Sequence, residues 1–419
     1  MADDSLIGEQ IAVRIVNSDS ADEAYRLYKA FAPLLTNYKF AFASGLGPRP
    51  GFAVNRDFSA GAAVRSLFGS ERILVLDAET IEGMEKGGAS FPIDYSISLD
   101  TNAMSYLEPY IAGRRSGRIP QDFGEVFAFI ARADVHVDPL PYFTENLFKL
   151  AGNEKPEFIY DNLIAYEALR TIDAEWFARY SEVRSTLTES ELAASAQDHM
   201  SRMYFDLGNK PAMKELERRY QYGYACLLKM TALQLKAPGA APAIKMAAFA
   251  EFCHSTLSSM PAREITVAKA YFRRGQKHSF FHKVQKKKED ILDNLRNMAW
   301  DMWHVRQLEH TFAQNPSDAA RYFFPALLTF DRGLIEIMDL YRLKACAYNV
   351  KARRPLPVFD GNPYLLFDTD EQDGKSLFDK YYSAESIARR SAALETTLSD
   401  FDGIIEMLEQ DVLKIALPR

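Results

Sequence analysis

The sequence predicts a helix-rich α/β protein, and three observations carry that expectation. Tyr95, Ile97 and Leu99 alternate with Ser96 and Ser98, the two-residue period of a strand. Asp100-Thr101-Asn102 then breaks the strand with side-chain oxygens that cap helices, and Met104, Leu107, Tyr110 and Ile111 follow at helical spacing. The same order recurs late in the chain, where Tyr322 to Phe330 reads as a strand, Asp331 ends it and Arg332 to Tyr341 is helical. Between these junctions, from about Trp176 to Asn315, one amphipathic helix follows another. Both junctions leave a carboxylate at the C-terminal end of a strand, the edge at which open α/β sheets hold ligands.

The chain has 419 residues with 47% hydrophobic content, enough for two or three domains, or for one domain with large insertions. No apolar run approaches the length of a membrane span. The first residues, Met-Ala-Asp-Asp-Ser-Leu, lack the basic and apolar regions of a secretory signal. Cys226, Cys253 and Cys346 are scattered, which argues against a disulfide framework or a cysteine-rich zinc site. A reducing, cytoplasmic location is expected. A net charge of -7 gives no overall attraction to nucleic acid or anionic lipid, so a polyanion must be drawn by a local patch.

Residues 1–90 read as an N-terminal extension or small accessory domain. It contains a short strand at Ile11–Val16, a helix from Ala21 to Leu35 capped near Ser20, the loop Gly45–Gly51 and a strand at Arg72–Leu76 ending in Asp77. Residues 91–175 form the first part of the α/β domain. After the first junction come a basic loop with Arg114, Arg115 and Arg118, a helix at Phe123–Ala131 and a short strand at Val135–Asp138. A helix with prolines in its first turn follows, then another from about Pro156 to Arg179. Residues 176–295 are a helical insertion, and a long helix runs from Val284 to Phe312. Residues 296–370 complete the α/β domain, with a late strand at Tyr364–Phe367. Residues 371–419 hold a long C-terminal helix from Ile387 to Ala416. Its near-heptad seam of Ile387, Leu394, Leu398, Phe401, Ile405, Leu408 and Val412 is expected to pack on the core, with a homodimer contact as the alternative.

If their strands pair in a parallel sheet, Asp100 and Asp331 become neighbours that a helix-borne acid can join. Asp301 lies in an apolar helical stretch between Trp300 and Trp303, where a carboxylate is costly unless exposed, paired or bound to a cation. The strand followed by Asp100-Thr101-Asn102, together with Leu328-Thr-Phe-Asp-Arg-Gly-Leu334, resembles the first and last acidic motifs of PIN-domain nucleases. The resemblance covers roughly residues 93–170 and 295–350. It implies a small parallel sheet flanked by helices, and cleavage of RNA or single-stranded DNA with Mg2+ or Mn2+ held by three or four acids. It further implies a second acid early in a helix, matched by Glu145 with Glu167 in reserve, and a third on the helix before the last motif, matched by Asp301. Asn102 and Thr329 match the small polar residues beside the two strand-end aspartates.

Those residue types suit that chemistry. Mg2+ prefers oxygen ligands and keeps several waters, and clustered carboxylates repel one another until a cation joins them. A bound cation lowers the pKa of water and neutralises charge on the phosphate. Asp100 and Asp331 are the expected principal ligands, with Glu145 and Asp301 completing the shell. His304 and His310 stand three and nine residues past Asp301, whereas a metalloprotease-type zinc pair needs a step of four.

Between Pro261 and Lys288 the cations Arg263, Lys269, Arg273, Arg274, Lys277, Lys283, Lys286, Lys287 and Lys288 stand against a single acid, Glu264. Tyr271, Phe272, Phe280 and Phe281 are interleaved, a pattern that single-stranded nucleic-acid sites use for stacking. The leading expectation is an Mg2+- or Mn2+-dependent endoribonuclease, with a regulatory protein partner left open. Two alternatives stand beside it: a catalytically inactive interaction protein on the same scaffold, and a helical adaptor whose acids are merely solvated or cap helices.

Overall fold

The alternation from Tyr95 to Leu99 is a strand in the computed structural model, which describes residues 2–45, 54–88, 93–114, 119–152, 156–312, 322–351, 354–367 and 371–417. The chain divides into two units. The first comprises Met1–Gly208, His304–Asp331 and Arg342–Asp360, and the second Asn209–Trp303, Arg332–Tyr341 and Gly361–Arg419.

In chain order the first unit begins with helices α1 (Ala2–Val16) and α2 (Ala21–Phe31), then strands β1 (Tyr38–Ser44), β2 (Arg56–Asp57), β3 (Ala63–Ser66) and β4 (Arg72–Leu76). Helix α3 (Ala78–Glu85), strand β5 (Ile93–Leu99), helices α4 (Thr101–Ile111) and α5 (Phe123–Ile130) and strand β6 (Val137–Asp138) follow. Helices α6 (Leu140–Ala151), α7 (Pro156–Arg170), α8 (Ala174–Tyr180) and α9 (Glu189–Gly208) come next, and strands β7 (Tyr322–Thr329), β8 (Leu343–Asn349) and β9 (Arg354–Phe359) return later.

Two sheets result. One is mixed, in the order β2-β3-β7-β5-β6, with β5 parallel to both β7 and β6 and β3 antiparallel to β7. The other is antiparallel, in the order β4-β1-β8-β9. Its apolar face, with Phe40, Leu76, Ala345 and Ala347, packs with Ala12, Ile15 and Val16 of α1 and Tyr28 of α2.

These contacts correct the reading of the first ninety residues. They supply β1 and β4 to the antiparallel sheet and β2 and β3 to the mixed one, so they are built into the α/β unit. Ile11–Val16 is the end of α1 and not a strand: Ala12, Ile15 and Val16 fall on one buried helical face, and this tertiary burial overrides the β-branched character of Ile15 and Val16. Ser20 does cap α2, accepting from the Glu23 amide at 3.2 Å. Asp77, the rival strand-end acid, caps α3 through the Thr80 amide at 2.7 Å. The helix expected from Pro156 to Arg179 is two, α7 and α8, because Asp173 starts a new helix by accepting from the Trp176 amide. The loop Gly45–Gly51, apart from Gly45, and the cations Arg115 and Arg118 lie outside the described residues.

The second unit is helical: α10 (Lys210–Lys236), α11 (Pro242–Ser255), α12 (Ala262–Arg274), α13 (Ile291–Phe312, whose residues from His304 belong to the first unit), α14 (Arg332–Leu340), α15 (Glu371–Tyr382), α16 (Ala384–Ser399) and α17 (Phe401–Ala416). Its core gathers Leu227 and Leu228 of α10, Phe249 of α11, Tyr271 of α12, Leu295 of α13 and Leu408 of α17. The expected C-terminal helix is broken at Asp400, so only its second half lies on the core. Phe401, Leu408 and Val412 are buried, whereas Ile387 and Leu394 on α16 are exposed. The expected strand at Tyr364–Phe367 is instead a 3-10 turn, Pro363–Leu366, capped by Asn362. No helix among the described residues is long and apolar enough to cross a membrane.

Candidate active site at the parallel edge

Three parallel strands, β7, β5 and β6, carry carboxylates at their C-terminal ends: Asp331, Asp100 and Asp138. Register sets Leu99 opposite Leu328, which brings Asp100 beside Thr329. The Asp100 carboxylate caps α4 by accepting from the Ala103 amide at 2.7 Å. It also accepts from the Thr329 hydroxyl, which in turn accepts from the Asp331 amide at 3.1 Å. Phe330 packs edge-on against Tyr106 at 5.2 Å and lies 5.8 Å from Phe123, pinning the residue before Asp331.

Burial is what distinguishes Asp100, which is 5% exposed. Burial pushes its carboxyl up; the Ala103 amide and Thr329 hydroxyl pull it down, and the charges of Asp331 and Glu145 raise it again, leaving it at about 6. A carboxyl raised by burial and neighbouring acids is one that a cation would relieve.

Glu145, on α6, accepts from the Thr101 hydroxyl at the start of α4. Lys149, one turn on, pairs with its other oxygen at 2.7 Å, and Nε2 of His304 lies 3.9 Å away. Burial raises the Glu145 carboxyl, but Lys149, Thr101 and His304 more than offset this and hold it below the usual carboxylate range. His304 is itself buried, which lowers its imidazole to about 4 despite the Glu145 charge, so it is neutral near pH 7.

The remaining expected residues fall in different places. Asn102 is exposed in the first turn of α4. Glu167 is fully buried, bound by Arg170 at 2.6 Å and by His199 at 2.8 Å, and so belongs to the contact between α7 and α9. Asp301 is half-buried on the part of α13 that belongs to the second unit. The acids brought together in the first unit are therefore Asp100, Asp331 and Glu145. Sequence reasoning missed Asp138, whose carboxylate accepts from the Ser96 and Ser98 hydroxyls and from the Leu140 amide. The available signal was the pair of serines two apart on β5, which point to the same face.

The donor chemistry bears on the implied cation. Among the described residues no three His, Cys, Asp or Glu side chains form a group able to hold a metal ion, so an all-protein cage is not present. Mg2+ commonly makes do with one or two carboxylates, several waters and substrate phosphates, and Asp100 with Asp331 fits that smaller requirement.

In the second unit the basic segment departs from expectation. Tyr271, Phe272, Phe280 and Phe281 are all buried, with Tyr271 and Phe281 stacked at 3.8 Å, so these rings are core residues and not stacking platforms. Arg263 is buried over the Tyr341 ring, Lys269 donates to the Leu365 carbonyl and Arg274 pairs with Glu336. Arg273, Lys277, Lys283 and Lys286 are exposed. No family of known proteins, no characterised protein sequence and no solved structure matches this chain.

Proposed function

We propose that the parallel edge of the first unit is the centre of a PIN-like nuclease that hydrolyses phosphodiester bonds in RNA with Mg2+ or Mn2+. The observation that carries the reading is the single Thr329 hydroxyl joining Asp100 to the Asp331 backbone, which fixes two strand-end acids side by side. Asp100 and Asp331 would hold the cation, with Glu145 as the third acid beside them. When bound, the cation acidifies water and neutralises phosphate charge. Thr329 orients the Asp100 carboxylate, while Thr101 and Lys149 hold Glu145 ionised, so that it can accept a proton from water. Asp100 is 5% exposed, which limits the access of bulk water to its carboxylate.

The engagement of Glu145 by Lys149 favours a second reading, in which the scaffold is retained without turnover. Cleavage of RNA by the wild type and Asp100→Asn, each with Mn2+ and with EDTA, separates the two. Turnover that needs both Mn2+ and Asp100 supports the nuclease; none under any condition leaves the inactive scaffold.

A further inference from the structure

The second unit carries a surface that its neighbours do not neutralise. From Ile265 to Lys288 the sequence contains no acid, and Glu264 just before it is fully buried. Arg263, Lys269 and Arg274 are used within the fold, as described above. Arg273, Lys277, Lys283, Lys286, Lys287 and Lys288 are exposed, and none takes part in an ion pair among the described residues. Two acids, Glu289 and Asp290, only close the segment.

The cations sit on a segment held from beneath. Tyr271, Phe280, Phe281 and Val284 are buried between them. The Lys287 amide donates to the Ala416 carbonyl at 2.9 Å, with Lys287 at φ 64, a left-handed conformation that disfavours a side chain. Six cations are thus presented on anchored backbone in a protein of net charge -7.

What the segment lacks selects the partner. No exposed large hydrophobic side chain falls between Ala262 and Lys288, so nothing is available to enter a lipid layer. Its Tyr and Phe rings are inside, which leaves the small imidazole of His282 as the exposed ring of the segment and gives an unpaired strand no run of aromatics to stack on. Phosphate contact by Lys and Arg is what is left. We infer that Arg273, Lys277, Lys283 and Lys286–Lys288 bind the phosphate backbone of a nucleic-acid duplex without reading its sequence. This deepens the nuclease reading by naming a paired substrate, but the contact itself requires no turnover.

The test is anisotropy of a labelled RNA duplex and of its single strand with the full chain in EDTA, between about 50 and 200 mM salt. Because no cleavage is measured, an inactive acidic edge leaves the result readable. The duplex should bind more tightly than the single strand. Charge reversal in Arg273→Glu/Lys277→Glu/Lys283→Glu/Lys286→Glu should weaken it at least about tenfold and flatten the salt slope by roughly 3 to 4. A control reversing four exposed, paired cations (Arg26→Glu/Lys86→Glu/Arg219→Glu/Arg389→Glu) matches the change in net charge and should leave most of the affinity and slope. The neutral Lys286→Gln/Lys287→Gln/Lys288→Gln variant should weaken duplex binding part-way, which guards against a folding defect in the reversed variant. Equal loss in the control, tighter binding of the single strand, no duplex binding by the wild type, or binding only to vesicles containing phosphatidylserine would each overturn the assignment.

Discussion

Thr329 donates to the Asp100 carboxylate across two parallel strands while accepting from the Asp331 amide two residues ahead of it. The hydroxyl lowers the Asp100 pKa, so its removal in Thr329→Val raises that pKa further. The acid limb of the pH–rate profile of cleavage should then move to higher pH, a shift that loss of packing alone does not produce. An unmoved limb would separate Thr329 from the chemistry.

Asn keeps the shape of Asp and its acceptor oxygen, so Asp100→Asn retains the cap on α4 but loses the charge. Asp100→Asn and Asp331→Asn should each reduce Mn2+-dependent cleavage by a factor of about a hundred or more, the scale on which electrostatic catalytic groups contribute. Their circular dichroism should be unchanged. Full activity in either variant rules out the site.

Stability against pH offers a test without substrate. The folded Asp100 carboxyl lies at about 6 against an ordinary 3.8, so the folded state binds the extra proton between those values. Its stabilising contribution is full below pH 3.8 and is lost as pH rises through about 6. The expected change is about 3 kcal/mol, from about 1.4 kcal/mol per pKa unit. Glu145, Glu167 and His304 are shifted downward, so their contributions run the other way, lost as pH falls. Denaturant unfolding of the wild type minus Asp100→Asn isolates the Asp100 slope, and a flat difference from pH 4 to 6 contradicts it.

Glu145 and Glu167 should separate by kind of defect. Glu145→Gln should lose most cleavage with a small change in melting temperature. Burial raises the Glu167 carboxyl, but His199 and Arg170 outweigh it and bring it down to about 2, and removing that charge leaves both partners unpaired. Glu167→Gln should cost about 2 to 4 kcal/mol in denaturant unfolding, with turnover per folded molecule retained. The reverse pattern assigns the second acid to the wrong helix.

Much of the acidic edge was legible because local rules govern it. A two-residue period fixes the face of β5, an Asp-Thr-Asn turn fixes its end, and the same grammar marks β7. Of the antiparallel sheet only β4, Arg72–Leu76, was legible. Lys344-Ala-Cys-Ala in β8 has no strong strand signature, and β9 carries Pro355 and Pro357, tolerated because it is an edge strand. The break at Asp400 was hidden because the apolar spacing of the seam continues through it. The rings of the basic segment were misread because spacing alone does not tell an aromatic turned inward from one turned outward.

Those buried rings have one further consequence. Cations and anchors alternate along Tyr271 to Lys288, so what holds this stretch in place and what it shows to solvent are carried by different side chains. Phe281→Ala should cost about 3 to 5 kcal/mol in unfolding free energy, the usual scale for a fully buried ring. Exchanges among the exposed lysines should cost within about 0.5 kcal/mol. The stretch can therefore drift in charge, and with it in what the protein attracts, while the fold beneath stays the same.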